Sequence, residues 1–403
     1  MKKSRSILRA LLPPLMSLLL FAGLFELGVL LVAGEQAKFP RHVVGTDFGV
    51  RVNQPDTTYR HKSADGTWWF TINSRGLRAD REYPYEKPPG VFRIVSLGDS
   101  FTAGYEVAGD ETFSSVLEQE LRRAGLQVEV LNAGVSGYSN AEALLYLERE
   151  LLKYDPDLVL LSFFANDLVD NVRSGLFRLE EGRLVQTADG YVPAGAIGNF
   201  LNTNPLFNWL SGYSNAFVFA KERLTHILKR RIVEQNRQNV ADAVDGAEAA
   251  GATAPPEQDE ADGDAGDSGS PEQALAVAIL DRLYEQTHAR GIPLVIQSIP
   301  IPIGEDEGEL VETFPVDYFD LDREGLYFVG MAGPLTPWVG REPLYNRRSH
   351  GHWTAFAHRV SGETLARLVL REHLLDRSMT AAAVAGHALP SRSAAQQPQG
   401  DLR

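Results

Sequence analysis

The chain contains no cysteine. That excludes disulfides, thiolate catalysis and cysteine-ligated zinc. Positive charge is missing from one stretch: residues 242–272 carry ten acidic residues and no Lys or Arg, and taking those ten out of the net −14 leaves −4 for everything else. A folded part so close to neutral argues against nucleic acid as a partner. Aromatics are absent from the same region. Residues 239–271 are rich in Ala, Gly, Asp, Glu and Pro, offer too little apolar surface to repay chain ordering, and are expected to be disordered. No internal repeat is present. The 403 residues with 44% hydrophobic content allow two or three domains, or one large domain with additions.

One long apolar run is present. Lys2, Lys3, Arg5 and Arg9 precede Ala10 to Gly34, which is interrupted only by Ser17 and Glu26. About 25 residues at ~1.5 Å each cross a bilayer core of ~30 Å. The centre of a cleaved signal peptide is shorter, ~7–15 residues, although Leu31-Val32-Ala33-Gly34 offers a cleavage site. The expectation is a single-pass anchor over 10–34, with residues 1–9 in the cytoplasm and the remainder on the periplasmic or extracellular side. Pro13 and Pro14 sit near the start, where a helix tolerates them best. Glu26 is costly at membrane depth and needs a partner or an interfacial position.

Residues 35–90 show no long periodic segment and are expected to form an extended lead-in, with a hairpin near Thr67 to Ile72. Trp68 and Trp69 are either a packed pair there or an aromatic platform. From Val91 the pattern alternates. Val91–Leu97 predicts a strand, Glu111–Ala124 a helix ending at Gly125, and Val128–Leu131 a second strand. Asn140–Lys153 follows as a helix and Leu158–Phe164 as a strand apolar enough to be buried on both faces. Such alternation implies a parallel sheet with crossover helices, an α/β fold. Residues 170–240 are an insertion, whose segment Asn215–Gln238 is expected to be a helix carrying Lys229, Arg230 and Arg231. It serves either as a surface helix or lid, or as a contact for anionic headgroups. Pro271–Arg290 (helix), Pro293–Ile299 (strand) and Trp353–Leu375 (helix) complete a domain over 91–375. Residues 376–403 are expected to be a disordered tail.

Chemistry is suggested where Gly98-Asp99-Ser100 follows the first strand. A Ser there lies at the carboxyl end of the sheet, where open α/β folds bind ligands. Asn132-Ala133-Gly134-Val135-Ser136-Gly137-Tyr138 follows the second strand and Ala165-Asn166-Asp167 the third, so all three converge on one cleft. Glycine amides and an Asn amide are suitable oxyanion donors, and His352, just before the last helix, is a candidate base. Asp99 and Asp167 are read as holding their loops, and His358 as a packed residue. His350 is read as an exposed loop residue, and Trp353 as packed beside the catalytic loop rather than stacked on a sugar. His350, His352 and His358 have no carboxylate at metal-ligand spacing, so no metal and no cofactor are expected.

The stretches "VSLGDSFTAGYEV", "LNAGVSGYSN", "FFANDL" and "SHGHWTAFAHRVSGETLA", in that order, resemble the SGNH hydrolases, also called GDSL lipases and esterases. The resemblance covers Val91 to Asp167 and Ala276 to Leu375. It implies a three-layer α/β/α sandwich around a parallel sheet (SGNH/flavodoxin-like). It also implies an ester hydrolase with Ser100 as nucleophile and His352 as general base. The backbone amides of Ser100 and Gly137 and the side-chain amide of Asn166 would form the oxyanion hole. One departure stands out. The family places an Asp three residues before the catalytic His, and here that position is Ser349. Three readings stay open: Ser349 or a backbone carbonyl orients His352, a distant carboxylate such as Glu342 or Asp322 reaches it, or the site is silent and binds glycans or scaffolds a complex. The expected substrate is an O-acetylated carbohydrate at the cell envelope. A lipid ester, or acyl transfer to another sugar, are the competing assignments. The oligomeric state is left open.

Overall fold

The computed structural model describes the chain except residues 1, 35, 39–41, 189–199, 201, 225–226, 229, 232–233, 236–237, 239–269, 304–307, 349–350 and 376–403, with no side-chain description for residues 2–10. The acidic linker apart from its last two residues, the C-terminal tail, Ser349, His350 and Lys229 therefore lie outside the described residues.

Helix α1 (Lys2–Ala33) contains a stretch, Leu11–Ala33, long and apolar enough to cross a membrane. The lead-in is more ordered than its sequence suggests. Strands β1 (Val43–Gly45) and β2 (Arg51–Asn53) pair antiparallel, and β3 (Thr57–Lys62) forms a hairpin with β4 (Thr67–Ile72). In β3, Tyr59 and His61 point inward and are buried, while Arg60 points to the opposite side, as the period of two requires. Tyr59 and Phe70 stack at 5.2 Å and form a small satellite core with Ile72, Ala103 and Tyr105.

The central sheet has five parallel strands: β5 (Phe92–Leu97), β6 (Val128–Asn132), β7 (Leu158–Phe163), β10 (Leu294–Ser298) and β13 (Leu326–Gly330), in the order β13-β10-β7-β5-β6. Four of these were expected from sequence. The fifth, β13, is short, half-exposed on its outer side and bounded by glycines, so it lacks the continuous apolar run of a strand covered on both faces. Hairpin β8 (Phe177–Glu180)–β9 (Arg183–Gln186) opens the insertion, and β11 (Ile301–Ile303) pairs with β12 (Glu309–Val311) beyond β10.

Helices cover both faces. Helices α3 (Phe113–Arg123) and α9 (Ala355–Arg371) lie on one side, and α4 (Asn140–Arg149), α5 (Asn166–Ser174) and α7 (Pro271–His288) on the other. Alternation along the strands feeds the two cores. Ile94, Leu158 and Leu160 join Leu117, Leu121 and Leu365, whereas Val95, Leu97, Val159 and Leu161 join Leu144, Ile279 and Leu283. This is the three-layer α/β/α sandwich implied by the resemblance. Helix α4 is shorter than expected because a 3-10 turn, Leu151–Tyr154, takes over after Glu150. The insertion adds α6 (Pro205–Tyr213) and a further helix from residue 215, described without a break to 224. A four-residue helix, α8 (Ala332–Leu335), follows β13.

Because β5 comes first in sequence, β6 adds on one side of it and β7 on the other. The chain reverses its winding at the carboxyl end of β5, and this switch point opens a crevice.

Candidate active site

Gly98 ends β5 with φ +150°, and a Cβ placed there would lie 2.3 Å from Thr102 Oγ1 and 3.2 Å from the Ser162 carbonyl. Only glycine fits. Asp99 then caps the four-residue helix α2 (Ser100–Ala103) by accepting the Phe101 N–H at 2.9 Å. Ser100 is the first residue of that helix, at the lip of the crevice. Burial pushes the Asp99 carboxyl up to about 6, despite the Phe101 hydrogen bond and nearby His352. Asp167 accepts the Phe164 N–H at 2.9 Å. Its carboxyl is driven well above the usual range by burial and by the charge of Asp99. Both acids hold turns under the crevice.

His352 Nε2 lies 2.9 Å from Ser100 Oγ. The ring arrives from a loop fixed by a bridge between Tyr345 and Trp353, by Asn346 N–H donating to the His352 carbonyl at 2.8 Å, and by Gly351 at φ +72°. Trp353 is fully buried and meets Phe101 edge-on at 5.6 Å, so it wedges the loop against α2 and does not face a sugar. His358 is buried on α9, with Nδ1 accepting the Phe113 N–H at 3.2 Å, and desolvation lowers it to about 3. It is a neutral packing residue.

The carboxylate facing His352 Nδ1 is Glu106, whose Oε2 lies 3.5 Å away. Its side chain is fully buried. The distance is at the edge of hydrogen-bond reach and within that of an ion pair. Of the readings left open, a carboxylate from elsewhere in the chain fits this geometry, but the residue facing the ring is Glu106 and not Glu342 or Asp322. Glu342 is exposed, with its N–H turned to the Trp338 carbonyl, and Asp322 sits in a loop with its N–H on Asp320. Glu106 comes from the loop that follows α2, six residues after Ser100. It occupies the left-handed region at φ +67°, which is uncommon for a glutamate and needs outside support. Arg78, buried in the lead-in, gives that support: it donates to the carbonyls of Ala103, Gly104 and Val107, the last at 2.7 Å, with its guanidinium 3.8 Å over the Phe70 ring. On the far side, His61 Nε2 lies 3.9 Å from Glu106 Oε1, and the His61 ring meets Tyr105 edge-on at 5.0 Å. Glu106, Arg78 and His61 were not singled out from sequence. Glu106 lies inside the quoted "FTAGYEV" stretch, but nothing in residue type or spacing marks its backbone as left-handed and turned toward His352.

Gly137 adopts φ +72°. Its carbonyl accepts from Arg51 at 2.8 Å and Arg173 at 3.0 Å, and the Ser136 carbonyl accepts from Arg51 at 3.2 Å. In a trans peptide the N–H points opposite to the C=O, so anchoring the Ser136 carbonyl on Arg51 directs the Gly137 N–H away from it. Asn166, first residue of α5, donates one amide hydrogen to Asp170 Oδ2 at 3.0 Å and keeps a second one. Gly134 packs against the backbone of α2, with a Cβ position 2.1 Å from Ala103 N, which marks it as a close-approach glycine.

The GDSL-like lipase/acylhydrolase family profile matches residues 96–360, a span that contains every residue just described from β5 onward. The chain belongs to this family. An arylesterase of Vibrio mimicus is 36% identical over 75 residues, 19% of this chain and 38% of that protein, so the match spans about two fifths of the relative's length. Among solved structures, a lipolytic protein of the G-D-S-L family from Desulfitobacterium hafniense DCB-2 is similar at 13% identity, covering 68% of this chain and 98% of that one, with TM-score 0.33. A lipase/acylhydrolase from Enterococcus faecalis is similar at 14% identity over 70% and 96%, with TM-score 0.35.

Proposed function

We propose that this family member is a membrane-anchored ester hydrolase working through an acyl-Ser100 intermediate, with His352 as base and Glu106 as the orienting acid. The observation that carries the reading is the 2.9 Å approach of Ser100 Oγ to His352 Nε2 with a buried carboxylate on the other ring nitrogen. A protein that only binds glycans has no need of that alignment.

Ser100 Oγ attacks the ester carbonyl carbon while its proton passes to His352 Nε2. Positive charge then develops on the imidazole, where Glu106 stabilises it and fixes the Nδ1–H tautomer. The carbonyl oxygen becomes an oxyanion facing the Ser100 and Gly137 amides and the free Asn166 hydrogen. Collapse breaks the C–O bond, and His352 returns its proton to the leaving alcohol. Water repeats the sequence on the acyl-enzyme, freeing the acid and Ser100. No step requires a metal or cofactor.

The substrate assigned is an O-acetylated carbohydrate at the cell envelope, supported by the basic residues that precede the apolar span of α1, which favour a non-cytoplasmic catalytic domain. A lipid ester is the second reading, favoured by the exposed apolar side chains of the insertion, such as Leu206 and Trp209. The test is hydrolysis of aryl esters from acetyl to octanoyl by the full chain, Ser100→Ala and His352→Ala. Acetyl turnover lost in both variants supports the assignment, and a profile peaking at octanoyl moves it to lipid. A folded parent no faster than Ser100→Ala on every ester refutes hydrolysis of simple esters.

A further inference from the structure

Glu26 lies seven residues before Ala33, about 10 Å inside the outer end of the apolar span at ~1.5 Å per residue. A carboxylate at that depth persists only with partners that satisfy its lone pairs. The structure supplies them from far along the chain. Ser214 Oγ donates at 2.7 Å and Ala216 N–H at 3.0 Å, and Asn215 N–H also donates. These donors are the N-terminus of the helix that runs from residue 215, so the anchor's one acid caps the insertion's second helix. Asn215 Oδ1 in turn accepts the Gln36 N–H at 3.2 Å, where the chain leaves α1. Within Leu11–Ala33, only Glu26, Gly28 and Val29 lose substantial exposure, which marks the docked face.

Whatever bonds to Glu26 must reach Glu26's depth. If α1 spans a bilayer, residues 214–216 lie below the outer end of the span, and α6 leads directly into them. Helix α6 presents Leu206, Trp209 and Tyr213 at 60%, 57% and 59% exposure, an i, i+3, i+7 stripe on one face. Its other side is held by protein: Asn208 meets His42, and Arg60 of β3 donates to the Gly212 carbonyl at 3.3 Å. The following helix exposes Leu224 at its described end, and the helical residues Ile227 and Leu228 beyond it are exposed as well, followed by exposed Arg230 and Arg231. Trp and Tyr over an aliphatic patch with nearby arginines suit a bilayer's interface and anionic headgroups.

We infer that the insertion, α6 with the helix from residue 215, is a membrane-inserted element latched to the anchor through Glu26, its occupant being the outer leaflet of the lipid bilayer. The inference rests on α1 being a retained anchor. Its consequence is positional. Arg60 reaches α6 from one side of β3, while Tyr59 and His61 on the other side pack around Tyr105 and Glu106, so the catalytic loop is tied through one hairpin to the membrane surface.

The cysteine-free chain makes the test direct. An environment-sensitive fluorophore is placed on L20C, W209C, L224C or W338C in the full chain, reconstituted in phosphatidylcholine–phosphatidylglycerol vesicles, and nitroxide-labelled lipid is added. L20C reports the anchor and W338C an exposed site outside the anchor and the insertion. Quenching at L20C, W209C and L224C but not W338C is the expected result, with Glu26→Ala at least halving quenching at W209C and leaving L20C unchanged. Quenching at L20C while W209C and L224C stay in water, or are shielded without lipid quenching as a protein partner or second copy would do, overturns the inference and leaves the anchor standing. No quenching at L20C removes the anchor and the inference together.

Discussion

Replacing Glu106 by Gln keeps the side-chain volume and removes the charge facing His352. At 3.5 Å and an effective dielectric of ~20, a carboxylate stabilises an adjacent imidazolium by about 5 kcal/mol, or ~10³–10⁴-fold in rate. Disabling the equivalent acid in trypsin-like enzymes costs ~10⁴ in turnover, so the two scales agree within a decade. A glutamine still accepts a hydrogen bond, and the expected loss is therefore roughly 10²–10³ in kcat on an aryl acetate, with KM little changed because the charge on the ring develops only in the transition state. The assay is steady-state hydrolysis by parent, Glu106→Gln, Glu106→Asp and Ser100→Ala, with thermal unfolding beside it. Glu106→Asp restores the charge on a shorter stem and is expected to recover part of the loss. If Glu106→Gln stays within about fivefold of the parent while Ser100→Ala is inactive, Glu106 is not the orienting acid and His352 works as half of a dyad.

Asp99→Asn keeps an acceptor for the Phe101 N–H and removes an acid held near 6 against an ordinary 3.8. A raised carboxyl favours the fold when protonated, so that contribution is present below about 3.8 and lost as pH rises through 6. The variant is expected to gain up to about 3 kcal/mol at pH 8 and nothing at pH 4, read from denaturant midpoints. His358 has the opposite sign. Lowered to about 3 from 6.5, it costs stability as pH falls through 6.5, by about 2 kcal/mol at pH 5, and His358→Gln should flatten that loss in the same titration. Gly98→Ala forces a Cβ against Thr102 and a left-handed backbone, and should cost more than ~2 kcal/mol in stability or abolish soluble expression. Arg78→Lys loses the fork that spans three carbonyls, and should lower kcat at least tenfold through Glu106 with less than a twofold change in KM.

The sheet was legible because β5, β6 and β7 are short apolar runs closed by turn residues, and because buried parallel strands need such runs. β13 was not, since it forms an edge with a half-exposed outer face. Ser100 and His352, the proposed nucleophile and base, were legible as motif residues that meet, each tied to a strand end or helix start that sequence punctuation reveals. The acid was not. Its position depends on a left-handed backbone at Glu106 that no residue type announces, and on Arg78, brought in from a segment that read as an irregular lead-in. Glu26 was flagged as costly, but its partners lie almost two hundred residues away, in a segment whose own pattern says only helix.

With Glu106 as the proposed acid, a different part of the chain carries the chemistry. In a site where the acid sits three residues before the histidine, one loop delivers both, and everything upstream of β5 is dispensable to their geometry. Here the two come from opposite ends of the domain. The loop bearing Glu106 is clamped by Arg78 and packed by His61, Phe70 and Tyr59, all from residues 42–79. A chain beginning at Val91 retains every motif that carries the family resemblance and loses the Arg78, His61 and Phe70 contacts that brace the Glu106 turn. It is expected to lose as much kcat as Glu106→Gln, ~10²-fold or more, whereas a chain beginning near Lys38 keeps the clamp and its activity. Equal turnover of the two truncations on an aryl acetate, with both folded by circular dichroism, would show that the turn holds itself and that the lead-in serves only the membrane side of the molecule.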